Sequence, residues 1–321
     1  MPCRSSRWVW TIFYCVVTVD GRRFEVTHPD KVLFPADGIT KADLVDYYLQ
    51  VAEAALPHIR DRPVTMTRYP DGIDRQGFFQ KDAPAYFPEW VPRVQLAKRG
   101  GTVAHVVCND AATLAYLAAQ ACTTPHIGLS RTSKLGNPDR LVFDIDPPQD
   151  AFAEAVAGAQ AVRQLLEELG LQPFVKTTGS KGVHVEVALD GSADFGAVRE
   201  FAAVAGDLVA ARNPSRLTTE FRKERREGRV FVDTTRNAYA QTIVAPYAVR
   251  ALPGAPVATP LTWEELADPK LRPKQFSLRS IPSRVEQGLD PWAGMLTAGQ
   301  PLEPARARLA ELVRAAAPSA G

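Results

Sequence analysis

Residues 140–148 read Arg-Leu-Val-Phe-Asp-Ile-Asp-Pro-Pro. An apolar run that ends in two acids and a double proline describes a buried strand with an abrupt stop. Residues i and i+2 of a strand project from one face, so Asp144 and Asp146 aim at one point. Two carboxylates that close repel unless a cation lies near, and hard oxygen donors suit Mg²⁺ or Mn²⁺. A third acid, Asp233, ends another apolar run, Val230-Phe231-Val232. Three carboxylates at neighbouring strand ends form the donor set of two-metal phosphoryl transfer. The same residues also fit plain turn chemistry, because acids after strands are common turn residues.

Outward from that strand, apolar residues at 152, 156, 162, 165, 166 and 169 predict a helix over 152–169, with Gly170 as its terminator. Strands follow at 173–176 and 183–189, a helix at 195–212, and strands at 230–233 and 241–245. Upstream, Thr40 with Asp43 three residues on predicts a capped helix that Pro57 ends. Strands are expected at 64–69 and 103–108, then a helix capped by Asn109 or Asp110 and reaching about Cys122. Helices and strands alternate without the uniform units of a doubly wound sheet, so the fold class is α+β.

Composition excludes several classes. With 45% hydrophobic and 23% charged residues, the 321-residue chain is neither disordered, collagen-like nor a small disulfide scaffold. A net charge of +2 means that any nucleic-acid surface must be local. Cys3, Cys15, Cys108 and Cys122 lack metal or CxxC spacing and read as free thiols of a reducing, cytoplasmic (nucleoid-associated) setting. The apolar run from Trp8 to Val19 is too short for a bilayer, which needs roughly 20 residues. It reads as an added strand or an over-long start within an N-terminal extension, 1–23, with a secretory leader as the alternative.

The turn Thr177-Thr-Gly-Ser-Lys-Gly182, followed by His184, offers backbone N–H groups and Lys181 as a triphosphate cradle. It is no P-loop, since a strand follows rather than Ser/Thr and a helix. A plain glycine hairpin and a core histidine are the bland alternatives. Residues 216–229 hold six basic residues against three acids and lead directly into Asp233, which favours a phosphate role. Arg236 and Arg250 flank the next strand. Phe79, beside Phe78, is placed to stack on a base.

These motifs occur in the order HPDKVLFP (28–35), RYPDG…FFQK (68–81), FDIDP (143–147), TGSKGVH (178–184), RVFVD (229–233) and VAPYAVR (244–250). Together they resemble the bacterial archaeo-eukaryotic primase-type polymerases, in particular the polymerase domains of bacterial ligase D and their stand-alone homologues. The resemblance covers about residues 24–295 and leaves 296–321 as an Ala/Pro-rich tail, with a helix expected over 303–317. It implies an α+β, archaeo-eukaryotic primase-like polymerase fold of two sub-lobes, one with an RRM-like sheet, and an active site in the cleft. Catalytic and metal-binding roles fall to Asp144, Asp146 and Asp233, with two Mn²⁺ (or Mg²⁺) ions. Nucleotide-binding roles fall to His126, Thr178, Lys181, His184, Arg226 and Arg250. DNA-binding roles fall to Lys31, Arg68 and Phe79, with Phe79 on the template base and Lys31 on a 5′-phosphate.

Two departures stand out. Thr178 replaces the Ser of many members and keeps the hydroxyl. Met66-Thr67-Arg68 replaces the usual Arg-Lys-Arg, so Thr67 cannot supply the second 5′-phosphate lysine of ligase-linked members. No Lys-x-Asp-Gly nucleotidyl-lysine motif occurs in the chain. The implied activity is template-directed addition of NTPs, ribonucleotides preferred, to a primer 3′-OH at short gaps or double-strand-break ends. The implied protein is a monomer without membrane contact, whose partners are gapped or broken DNA and, in trans, a DNA ligase and an end-binding protein. Two other readings fit the acids. One is a metal-dependent phosphohydrolase with Asp144 as nucleophile and Asp146 as acid. The other is a non-catalytic DNA-end-binding module.

Overall fold

The computed structural model describes residues 7–10, 14–148 and 151–316; Cys3 lies outside them. The chain opens with an antiparallel sheet of β1 (Arg7–Trp10), β2 (Tyr14–Val19) and β3 (Arg22–Thr27), turned between β2 and β3 by Asp20 and Gly21 at positive φ. The apolar run near the N-terminus is thus shared between two paired strands. β4 (Val32–Phe34) and β5 (Ile39–Thr40) pair briefly before α1 (Lys41–Gln50). Its start is the expected capping box: Thr40 Oγ1 accepts from the Asp43 N–H, and the Asp43 carboxylate accepts from the Thr40 N–H at 2.7 Å.

Pro57 does not end this helix. The break falls earlier, at Val51, and α2 (Ala52–Ile59) carries Pro57 inside. The Ala54 and Ala55 N–H groups both donate to the Val51 carbonyl, so the helix restarts there. A proline so close to the end of a short helix forfeits one backbone bond and little else. β6 (Pro63–Arg68), β7 (Phe78–Gln80), β8 (Arg93–Lys98) and β9 (Gly101–Val107) follow. Asp110 caps α3 (Ala111–Ala119) through the Thr113 N–H at 2.7 Å. This helix stops short of Cys122, because Ala121 takes a left-handed φ of 57° and Cys122 opens β10 (Cys122–Gly128). An apolar run alone gave no sign of that turn.

The remaining elements are β11 (Arg140–Asp146), α4 (Phe152–Glu168), β12 (Pro173–Thr177), β13 (Val183–Ala188), α5 (Phe195–Arg212), β14 (Leu217–Thr218), β15 (Val230–Asp233), β16 (Thr242–Val244), β17 (Pro260–Leu261), α6 (Trp263–Ala267), α7 (Ile281–Glu286) and α8 (Glu303–Ala316). Two units divide them. The first runs to Ile127 and takes in Val244–Ala258 and Phe276–Asp290; the second comprises Gly128–Ile243, Thr259–Gln275 and the chain from Pro291. In the first, β10, β6, β9 and β8 lie in that order, with β7 also on β6. Tyr47 and Tyr48 anchor α1 there by donating to the carbonyls of Tyr247 and Thr123.

The second unit holds a sheet in the order β14-β15-β11-β13-β12-β17. Its central part is a β-α-β-β-α-β succession, β11-α4-β12-β13-α5-β15, with strand order β15-β11-β13-β12. That is the split βαβ arrangement of an RRM-like sheet. Leu141, Phe143, Ile145, Val183, Val185, Val230 and Val232 are all buried, and they alternate with the residues of the opposite face. A Cβ on Gly158 of α4 would lie 3.2 Å from Ile145, and one on Gly206 of α5 would lie 3.8 Å from Val232, so the helices cover this apolar face. α8 packs on α5 and buries Ala305 and Leu309, so part of the expected tail belongs to this unit. Cys15, Cys108 and Cys122 are free and buried. No described helix is long and apolar enough to cross a membrane.

Candidate active site

Period-two alternation puts Arg140, Val142, Asp144 and Asp146 of β11 on the face opposite the helices. Antiparallel register does the rest. Asp144 stands opposite Asp233 of β15 and opposite His184 of β13, Asp146 opposite Phe231, and Lys176 of β12 opposite His184. Asp144, Asp146, Asp233 and His184 therefore share one face of one sheet.

Basic side chains surround the acids. The Arg236 Nε lies 3.9 Å from Asp144 Oδ2 and 3.7 Å from Asp233 Oδ2. Lys181 Nζ lies 3.2 Å from Asp146 Oδ1, and His184 Nε2 lies 3.5 Å from Asp144 Oδ1. Burial pushes the Asp144 carboxyl above its ordinary value; Asp146 and Asp233 push the same way, while His184 and Arg236 oppose them. Asp233 Oδ1 is held by the Thr235 N–H at 2.8 Å and hydroxyl at 2.6 Å. Buried Asn237 then does what another strand residue would do: its amide accepts from the Val142 N–H and donates to the Val142 carbonyl. This clamp fixes β11 beside β15, next to the acids.

The hairpin between β12 and β13 is built for close approach. Gly179 has φ 65°, and a Cβ on Gly182 would meet the Ile145 carbonyl oxygen at 2.5 Å. Only glycine lets this turn lie against the end of β11. The Thr178 hydroxyl is spent inside the turn, on the Gly182 carbonyl at 3.1 Å. Arg226 stacks over the Phe231 ring at 3.7 Å and donates to the carbonyls of Glu220 and Phe221.

Of the sequence-derived site residues, seven lie in this second unit: Asp144, Asp146, Asp233, Thr178, Lys181, His184 and Arg226. His126, Arg250, Lys31, Arg68 and Phe79 lie in the first. There, Phe79 is half exposed and meets the His126 ring edge-on at 5.3 Å. Phe78 is exposed to a similar degree, although neighbouring strand residues point to opposite faces. Arg68 sits under the Phe78 ring and donates to Gln80 Oε1 and Tyr86 Oη. Lys31 pairs with Asp71 at 2.7 Å, and the Arg250 N–H donates to the Pro256 carbonyl.

Sequence reasoning missed several charges. Lys41 opens α1. It is buried, donates to the Thr27 carbonyl, and has its pKa lowered by burial and then by Lys31 and Arg68. Arg236 stands three residues after Asp233, a spacing that puts it within reach of the acids. Lys176 and Glu186 carry charge at buried positions of β12 and β13.

All three acids are carboxylates, a donor set suited to a hard divalent cation. Burial first, and the Asp146 and Asp233 carboxylates after it, raise the proton affinity of Asp144, and a divalent cation would offset both. Among the described residues no three His, Cys, Asp or Glu side chains are gathered tightly enough to hold an ion as they stand. Arg236 reaches two of the carboxylates and Lys181 the third.

A family model described as LigD, primase-polymerase domain, matches residues 40–292. The multifunctional non-homologous end joining DNA repair protein LigD of Mycobacterium tuberculosis is 37% identical over 278 residues, 84% of this chain and 36% of that protein. The bifunctional non-homologous end joining protein LigD of Bacillus subtilis is 31% identical over 267 residues, 83% of this chain and 43% of that protein. The chain thus spans less than half the length of these curated relatives. The solved polymerase domain from Mycobacterium tuberculosis Ligase D, in complex with DNA, matches with a TM-score of 0.80 at 35% identity, over 85% of this chain and 98% of that one.

Proposed function

The chain belongs to the LigD primase-polymerase family, and from that premise we propose that it is a template-directed nucleotidyltransferase that extends a primer 3′-OH at short gaps or broken DNA ends. The observation that carries the reading is Asp144 standing opposite Asp233, with Asp146 on the same face and the Lys181–His184 hairpin beside them. Asp144, Asp146 and Asp233 would hold Mn²⁺ or Mg²⁺, two ions in the full site. Metal held there would supply the positive charge that lowers the pKa of an attacking hydroxyl and offsets the charge of a departing pyrophosphate.

The chain's own residues bind and orient. Lys181 exchanges Asp146 for the triphosphate, where its charge offsets that of the phosphates. Arg226 is braced by Phe231 and by two carbonyls, so its guanidinium is preorganised for an anion. His184 offers a ring N–H to a phosphate or ribose oxygen. Thr178 acts through the turn it closes rather than as a free hydroxyl. The family resemblance supports nucleotide roles for His126 and Arg250, DNA roles for Lys31, Arg68 and Phe79, and ribonucleotide preference. Sealing of the extended end requires a ligase active site that these 321 residues do not carry.

Primer extension on a gapped duplex, with Mn²⁺ and either NTPs or dNTPs, tests the reading. Templated addition, faster with NTPs, is expected. DNA binding without any extension would leave an end-binding module in its place.

A further inference from the structure

Behind His184 lies a row of buried charges that the proposed chemistry does not use. Lys176 and Glu186 are fully buried and Arg140 nearly so. Lys176 Nζ lies 3.0 Å from His184 Nδ1 and 3.6 Å from Glu186 Oε1, and the Arg140 Nη1 lies 2.9 Å from Glu186 Oε2. Burial alone would raise the Glu186 carboxyl, but the Lys176 ammonium first, and then the Arg140 guanidinium, hold it well below the usual carboxylate range. Arg140 is backed in turn by the Trp292 ring, 5.8 Å away. Charges so deeply placed are commonly no more stabilising than apolar residues of the same volume.

Resting on the nucleotidyltransferase reading, we propose that Lys176 is a positioning residue that fixes the His184 ring as its Nε2–H tautomer. An ammonium has donors only, so the ring nitrogen facing it must present a lone pair. The ring proton then resides on Nε2, the nitrogen directed at Asp144 and the catalytic face. Glu186 Oε1 lies 3.5 Å from Nδ1, beyond good hydrogen-bond length, and makes no hydrogen bond of its own. Without Lys176, that carboxylate would draw the proton to Nδ1. Nε2 would then turn a lone pair toward the Asp144 carboxylate and have no proton to give a nucleotide oxygen. Glu186 and Arg140 form the anchor: the carboxylate holds the ammonium, and the guanidinium holds the carboxylate.

The chain contains five histidines, few enough for ring nitrogens to be read by long-range proton–nitrogen NMR, with His184→Gln giving the assignment. The wild type is expected to show the Nε2–H pattern at His184. In Lys176→Met the Arg140–Glu186 pair stays internally neutral, so the fold should persist. The His184 pattern should shift toward Nδ1–H, and the KM for UTP in primer extension should rise about tenfold with a smaller change in kcat. Lys176→Gln, which keeps an N–H donor, should restore most of both. A wild-type ring protonated at Nδ1, or on both nitrogens, overturns the inference without need of any variant. So does Lys176→Met with unchanged ring signals and KM. A wild-type chain that extends no primer would instead overturn the polymerase reading, and the ring measurement would still decide this one.

Discussion

Asp144 and Asp233 face each other across an antiparallel pair, and the side chain of Arg236 reaches both, at 3.9 and 3.7 Å. Two acids brought together by strand register need positive charge between them, and the chain supplies its own. The same geometry makes the acids costly to the fold and necessary to the chemistry, so stability and activity should separate on mutation.

Asp144→Asn tests that separation. Burial and two neighbouring carboxylates disfavour the Asp144 charge, so a neutral amide of the same shape removes a penalty. The variant should unfold at the same temperature as the wild type or higher, while primer extension falls by at least about a hundredfold. Thermal unfolding and an extension gel check the two halves. Retained extension would remove Asp144 from the catalytic set.

Arg236→Gln concerns the substitute cation. Without the guanidinium, the Asp144–Asp233 repulsion is left to whatever divalent ion the solution provides. Mn²⁺ should therefore raise the Tm of the variant more than that of the wild type. Scanning calorimetry with and without the ion reads the difference directly. Equal shifts would mean that Arg236 and the ion do not compete for the same carboxylates.

Much of this was legible in the sequence. The run Leu141-Val142-Phe143 before Asp144 marked the buried strand, and the α4 spacing with Gly170 behind it marked the covering helix. Glycines 179 and 182 marked the tight turn. Pairing was not legible: nothing local says that position 233 falls opposite 144, since that depends on β15 packing against an edge of β11. Nor were Lys176 and Glu186 visible as a pair, because each looks like a lone polar residue until β12 and β13 are set in register. Pro57 and Ala121 misled for another reason. Local propensity favoured a stop at the first and continued helix through the second, and tertiary packing overrode both.

The buried Glu186 gives the fold an acid weakness. Its folded pKa is depressed below the ordinary value of 4.5, so its contribution is complete above that value and is lost as the pH falls through the folded one. Glu186→Gln leaves Arg140 and Lys176 buried without their counter-ion and should cost about 3 to 5 kcal/mol at neutral pH. Urea titrations at pH 7, 5 and 3 should show the gap to the wild type narrowing in acid. A gap independent of pH would mean that the glutamate acts by packing alone.

Thr67 is the natural place to strengthen 5′-phosphate recognition. It lies on β6 opposite Phe79 of β7 and Thr124 of β10, and it is only partly buried. A long side chain there can run its stem along the strand and keep its charge in water. The family resemblance implies a lysine at this position in ligase-linked members, and here Lys31 is engaged by Asp71. Thr67→Lys should tighten binding to a gapped duplex with a 5′-phosphate several-fold. The dependence of log K on log salt should steepen by about one unit. A duplex ending in a 5′-hydroxyl should gain far less, because the added charge would have no terminal phosphate to meet. Equal gains on both ends would show a general backbone contact, and Thr67 would then not account for any difference in end recognition.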